Sequence, residues 1–585
     1  MPQSRKYVVK VTNRSGFDKS HRNTLTLKCG TITPILCDEL IPGSRVNLKL
    51  NLACQLAPLV SDTFMNVKLK AEAFFVPSRL LLGSFEDFYC DSEDTQFVGV
   101  LADNSTGHST EIPRAIGTKP NACVPKVAVN ALYTSLMKEG SLCDYLGLTI
   151  DNSISTGTLG YFNILPLIAY HLVWQEWYRN PRVQKPAFVR WIPDGSTVPS
   201  AKPPISSFPY AYFHSIFNDG QGNTIPSNEV YSINSTPGTS SNVHTLADGK
   251  NIFMLRQRNF GSDYFTNARV NSQQGDMSRV EAPDNIGGNA EFTIAALRLM
   301  NSLQQYKERN NIPSSRMVDV TLNRYGVKMS DGVAQRPICL GSASYDVYSR
   351  GVDQTAPIAT SSYNGSPNIF KTVGTVYGKA HAAGSDFIID DFEAKEPGYL
   401  LVNVTLVPEA TYTAGIKRMF TRYLGPGTIT DMANPLLQNV GDQPVYAWEV
   451  TGAVADYQTV SPTIFGYQDR YADWMFCPNE VHGQLRAGSS LASFVLQRNI
   501  AAGAQLSTSF LEIPSNYLDS VMVSAINSGN TPVSPAADLG FAAWLDSMLQ
   551  YRVSMPLAEF SVPSLQNPAY EHGKTVVLNR NGQIF

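Results

Sequence analysis

The sequence predicts a mainly β protein: a β-sandwich of Greek-key or jelly-roll type, with long insertions containing several helices. Three observations predict it. Between Ser44 and Pro77, two segments alternate apolar and polar residues almost without error. Strand-like segments return late in the chain, beyond long stretches of different character, so closing the sheets pairs strands from opposite ends. Only 16% of the 585 residues are charged, while 42 Gly, 36 Pro, 27 Tyr and 27 Phe mark a chain rich in turns and aromatics. Average proteins carry about a quarter charged residues. A large, mostly neutral, aromatic surface fits a protein that buries much of it against partners.

Residues 1–24 read as an arm, extended around Tyr7 to Val11. Leu25, Leu27 and Cys29 then alternate into a strand, and Gly30 to Gly43, with Pro34 and Pro42, reads as a turn-rich connection. In the first alternating segment Val46, Leu48, Leu50 and Leu52 flank Asn47, Lys49 and Asn51. In the second, Val67, Leu69, Ala71 and Ala73 alternate with Lys68, Lys70 and Glu72. A period of two gives each strand one buried face. Phe74, Phe75 and Val76 break the period, so this strand runs into a region covered on both faces, until Pro77 ends the ladder.

Residues 91–125 are irregular. Val127 to Glu139 predicts a helix stopped by Gly140, and Ser141 can cap a short one through Leu146. Leu165 to Gln184 predicts a stronger helix, with Pro166 in its first turn and Asn180-Pro181 at its end. Its polar residues His171, Gln175 and Arg179 fall four apart, which predicts one narrow wet stripe on an otherwise buried helix. Residues 193–290 are crowded with Gly, Ser, Asn, Thr and Pro and predict a surface insertion, with short strands around Asn251 to Leu255 and Tyr264 to Val270. Phe292 to Arg309 predicts a helix with Ala296, Leu299, Leu303 and Tyr306 on one face. Strands are expected at Gly398 to Pro408, Gln443 to Thr451 and Ser489 to Gln497, and more weakly at Ser507 to Ile513. Pro-rich breaks divide the last seventy or so residues, and no fixed-period repeat is visible.

The net charge of −3 is unevenly placed. Arg5, Lys6, Lys10, Arg14, Lys19, Arg22 and Lys28 face a single acid, Asp18, within residues 1–28, a local charge of +6 on an acidic body. Such an arm suits contact with a polyanion, the other reading being a solvated terminus. These seven residues are the candidate nucleic-acid-binding set. The eight cysteines contain no CxxC pair and read as small buried hydrophobes in a reducing compartment. No signal-peptide core and no run of about 18 apolar residues is present, so synthesis in the cytosol and no membrane contact are expected.

Catalytic motifs fail one by one. Gly573-Lys574-Thr575 has Pro568 where a phosphate-binding loop needs Gly, and GxGxxG, HExxH and GxSxG are absent. Cys477 and His482 make half a zinc site at best. Asp386, Asp390, Asp391, Glu393 and Glu396 lack the spacing of a calcium loop and read as a solvated acidic turn. Aromatics at Trp174, Trp177 and Tyr178, and at Tyr467, Tyr471 and Trp474, could stack on unpaired bases, but helical spacing favours core. The expectation is a non-enzyme with no catalytic residue, metal or cofactor. The alternative is a carbohydrate-binding or carbohydrate-active β-sandwich.

Five stretches, in order, carry a family resemblance: FFVPSRLLLGSFEDF from Phe74, LPLIAYHLVWQEWYRNPRVQ from Leu165, RYGVKMSDGVAQRPICLGS from Arg324, GYLLVNVTLVPEATYTAGIKRMF from Gly398 and FGYQDRYADWMFCPNEVHGQLR from Phe465. Together they resemble the major capsid protein of the Microviridae, especially the gokushovirus-like branch. Phe74 to Leu80 resembles its FFVPxRL motif, Phe465 to Tyr471 its FGYQERxA, and Gln335-Arg336-Pro337 with Leu340-Gly341 its LQRPEYLGG, where Ile338-Cys339 replace the acidic and aromatic pair. Leu424 to Asp431 departs from the family's aromatic-rich run. The resemblance implies a single jelly roll of viral capsid type and a T=1 shell of sixty copies around circular single-stranded DNA. It implies a small basic DNA-binding protein and other minor proteins as virion partners, and assembly in the bacterial host cytoplasm. It also implies a long insertion protruding at the three-fold axes toward a host receptor. The expected organisation is an arm over residues 1–24 and a jelly-roll domain over 25–585, with 193–290 as the candidate protrusion.

Overall fold

The computed structural model describes residues 14–81, 126–129, 139–148, 160–190, 213–214, 248–272, 294–354, 376–421, 441–453, 463–522, 525–526, 532–533 and 541–557, apart from short gaps within them. Nine strands make the main sheets: β1 Ser15–Asp18, β2 His21–Leu27, β3 Thr33–Leu40, β4 Arg45–Leu56, β5 Val67–Pro77, β6 Ile338–Gln354, β7 Val376–Glu393, β8 Gly398–Pro408 and β9 Ala543–Met555. All their pairings are antiparallel. One sheet runs β2-β9-β4-β7, with β1 also on β9, and the other runs β3-β8-β5-β6. The first part of β6 pairs with β5 and its end with β7, so this one strand joins the two sheets. Every connection from β2 onward except β5 to β6 passes from one sheet to the other. That is the jelly-roll order, and β9, near the end of the chain, lies between β2 and β4.

The inner faces form the main core. β4 alternates strictly, with Val46, Leu48, Leu50 and Leu52 buried, and they pack with Leu69, Leu400, Val402, Leu545 and Leu549. Where the period breaks, β5 is covered twice. Phe75 points into the sandwich, its ring 5.2 Å from that of Phe392. Phe74 and Val76 point outward into a second core, made by helix α1 (Leu165–Val173, continued by a π turn through Tyr178), Ile252, Phe253 and Leu401. The long β5–β6 connection thus folds back to cover the outer face of the sheet it leaves. It also contributes α2 (Ile294–Asn311) and α3 (Met317–Tyr325).

Several expectations are corrected. Gly30 to Gly43 contains a strand, β3, at the sheet edge, where Pro34 costs no ladder bond on the open side. Residues 15–18 and 21–27 are strands on β9, so the expected arm is largely sheet beyond residue 14. β7 and β9 were not foreseen. β7 lacks an apolar alternation because its inward positions are small: a Cβ on Gly384 would lie 2.0 Å from the Tyr345 ring. β9 does alternate, with Ala543, Leu545, Leu549, Tyr551 and Val553 buried. Of the expected helix 127–139, Lys126–Val129 is a strand on Gly160–Asn163, and 130–138 lies outside the described residues. The short helix after Ser141 is present, with the Ser141 hydroxyl accepting from the Asp144 N–H. Gln443 to Thr451 divides into a strand and a helical turn after Tyr446. Ser489 to Gln497 holds a 3-10 turn, and Thr508–Leu511 is helical behind a Ser507 cap. Among the described residues no strand forms in 252–255 or 264–270, apart from the single bridge of Arg269 to Tyr467. Phe260, Tyr264, Phe265 and Ala268 are main-core residues instead, so residues 260–268 of the 193–290 segment are interior, while 273–290 lie outside the described residues.

Candidate functional site

Of the seven basic candidates, Arg5, Lys6 and Lys10 lie outside the described residues. The strand register places the others, and three of them face carboxylates of this same chain. Arg22 on β2 stands across from β9 and donates to Asp546, with Nε 2.6 Å from Oδ1. Lys19 donates to Asp38 at 2.6 Å, and Asp38 also accepts from the Tyr551 hydroxyl at 2.7 Å. Arg14 lies 4.0 Å from Glu393, which Arg45 reaches at 3.3 Å. Lys28, between β2 and β3, makes no ion pair among the described residues. The +6 segment is therefore partly neutralised by acids on β3, β7 and β9, two of these strands far away in sequence.

A buried polar constellation lies between α1 and residues 248–258. His171, expected on a wet stripe, is fully buried, and Gln175 nearly so. The Arg256 Nε–H donates to His171 Nδ1 at 2.9 Å. Because Arg can only donate, Nδ1 is unprotonated, and Nε2–H donates to the Ile252 carbonyl at 2.8 Å. Arg256 also pairs with Asp248 and lies 4.4 Å over the Trp174 ring. A few residues on, Arg258 grips Glu72 with bonds of 2.7 and 2.9 Å, and the Tyr178 hydroxyl donates to the same carboxylate. Trp177 donates to the Pro337 carbonyl at 3.0 Å, under the Arg336 guanidinium. Trp174 and Tyr178 are thus core and Trp177 packs half-buried against it, with their polar atoms satisfied inside the chain.

Burial, reinforced by the neighbouring Arg256 cation, pushes the His171 pKa well below its ordinary value, against the hydrogen bond to Ile252. An unfolded His takes up a proton below pH about 6.5, whereas the folded one stays neutral. Unfolding then binds a proton, so the stabilisation present above that pH is lost as pH falls, by about 1.4 kcal/mol per unit. Dissociated subunits should show this loss between pH 6.5 and 5.5 in denaturant titrations. His171→Gln, which keeps both hydrogen bonds, should flatten the slope by that amount, and an unchanged slope would refute the assignment.

The remaining candidates do not converge. Cys477 and His482 are exposed beside a cleft of about 300 Å³, and His482 lies 3.1 Å from Glu480. The acidic group is not a turn. Asp386, Asp390, Asp391 and Glu393 lie on β7, and Glu396 pairs with Arg79 at 2.6 Å. Among the described residues no three metal-binding side chains cluster. Tyr471 is buried, but Trp474, Met475 and Phe476 are exposed, as are Met419 and Phe420. The buried contacts brace α1 and the loop after it against β5. Sequence reasoning missed Arg256, Arg258 and Glu72, because their partners are decided by how α1 and its following loop fold onto β5.

Four matches to known proteins bear on this arrangement. The chain matches the model of the family described as capsid protein (F protein) over residues 7–532. It is 26% identical over 629 residues to capsid protein VP1 of Chlamydia phage 1, covering 94% of this chain and 96% of that protein. It is 26% identical over 513 residues to capsid protein VP1 of Bdellovibrio phage phiMH2K, covering 86% and 88%. The corresponding protein of Spiroplasma virus 4 is 24% identical over 585 residues, covering 94% and 95%.

Proposed function

The chain belongs to the phage capsid protein (F protein) family and is a structural subunit that self-assembles into a virion shell; from that premise we propose that sixty copies close a T=1 shell around circular single-stranded DNA. The observation that carries this reading is a jelly roll in full strand order, with every strand but β9 inside the family match. The copy number and the genome rest on the resemblance to Microviridae subunits. The small basic protein and other minor virion proteins as partners, and assembly in the host cytoplasm, rest on it too. The carbohydrate-active alternative is not favoured. The measurement is electron microscopy of purified particles: uniform icosahedral shells are expected, and a stable monomer that binds or cleaves sugar would refute it.

We further propose that residues 1–28 meet the genome. Seven phosphate contacts would give single-strand affinity a salt slope near −5, at about −0.7 per contact. Arg14, Lys19 and Arg22 already face carboxylates of the same chain. The expected slope therefore comes from Arg5, Lys6, Lys10 and Lys28 and lies near −3. Replacing those four by Gln should bring it close to zero, and packaging and slope unchanged in that variant would remove the arm from the interface. Residues 193–290 remain the candidate protrusion and receptor contact, with one restriction. Phe253, Phe260 and Phe265 are core, so a deletion has to stop before Asp248. Deleting residues 215–247 should leave soluble subunits and impair attachment to host cells. Normal attachment would exclude the segment from receptor contact.

A further inference from the structure

We propose that α2 is a pairing helix, docking antiparallel on α2 of a second copy of this chain around Leu303. This rests on the shell reading above. Leu299, Leu303 and Tyr306 are spaced by four and three residues, the narrow seam by which one helix packs on another. They are 61%, 43% and 53% exposed. Every described side chain of α2 is exposed or half-exposed, and α3 buries none of its own. α3 meets α2 at Tyr306, where Arg324 donates to the hydroxyl at 3.3 Å and lies 5.2 Å over the ring, and Leu299 and Leu303 stay exposed beside it.

The helix pair is fixed at its base. Arg316 donates to the carbonyls of Gln175 and Arg179 at 3.2 and 2.8 Å, and Trp177 holds Pro337 on the far side. A helix held in place with a bare apolar seam gains its stability from packing that a lone subunit does not supply. In a shell built of copies of one chain, the surface that every subunit meets is another subunit. The seam is also self-complementary. Leu299, Leu303 and Tyr306 carry no charge, and antiparallel pairing about a two-fold axis sets Leu303 against Leu303, Met300 against Tyr306 and Leu299 against position Lys307. An 18-residue helix is about 27 Å long, so one face offers roughly 300 Å². That is below the ~800 Å² per partner of a stable complex, so the pairing acts as one contact among many in the shell, and free subunits stay monomeric.

The test uses Leu303→Cys in particles and in subunits dissociated from them. Mild oxidation of particles should give a chain dimer linked through position 303, identified by peptide mass. Maleimide labelling at 303 should slow at least tenfold from subunit to particle. In addition, Leu303→Asp should leave the thermal midpoint of the subunit unchanged while cutting particle yield at least tenfold. Particles that form but show neither the 303–303 link nor protection would overturn the pairing and leave the shell intact. Protection with cross-links only to a different protein would overturn it as well. Failure of the unmodified chain to form particles would count against the shell reading itself.

Discussion

Replacing Arg256 by methionine is expected to destabilise the subunit by about 3–5 kcal/mol, the cost of removing one partner from a buried ion pair. The guanidinium is 3% exposed and Asp248 is 8% exposed. Without Arg256, the Asp248 carboxylate loses its counter-ion and His171 Nδ1 loses its donor. Domains are stable by only about 5–15 kcal/mol, so this loss should lower both the denaturant midpoint and the soluble yield. The double variant Arg256→Met with Asp248→Asn should recover part of it, because the unpaired charge is then gone. A single variant within 1 kcal/mol of the parent would mean that this constellation does not hold α1 on the sheet.

Phe74→Ala and Phe75→Ala are each expected to cost about 3–5 kcal/mol, although they point to opposite faces of β5. Phe74→Ala opens a cavity beneath α1, beside Trp177 and Tyr178, whose rings lie 5.7 and 5.9 Å away. Phe75→Ala opens one between the sheets, against Phe392. Lys68→Ala on the same strand removes only a half-exposed pair with Glu409 and should cost no more than about 1 kcal/mol. Chemical denaturation of the three variants decides it. A small effect for Phe74 alone would mean that the outer face of this sheet is not a true core.

Legibility followed the locality of each signal. β4, β5 and β8 could be read from their own residues, because an antiparallel strand with one buried face must alternate, and a strand covered twice must not. The Ser141 cap, the existence of α2 and the end of α1 near Asn180 are likewise short-range effects. The helix-period reading failed at His171 because a polar stripe is exposed only if nothing polar is folded over it, and Arg256 is. α2 reverses this: its helix period is plain, yet Leu299, Leu303 and Tyr306 are exposed in the subunit. β7 was hidden because its inward side chains include small ones, and Tyr345 from the neighbouring strand fills the space that Gly384 leaves.

The basic segment draws the same line. That residues 1–28 carry seven cations and one acid is a property of the sequence alone, as are the strand alternation and the absence of any catalytic motif. Which cations stay available was decided only by the tertiary structure, since β9 brings Asp546 to Arg22 across 524 residues of chain and β3 brings Asp38 to Lys19. A period or a cap is written in neighbouring residues, whereas an ion pair depends on strand order, which a jelly roll sets by closing one end of the chain against the other.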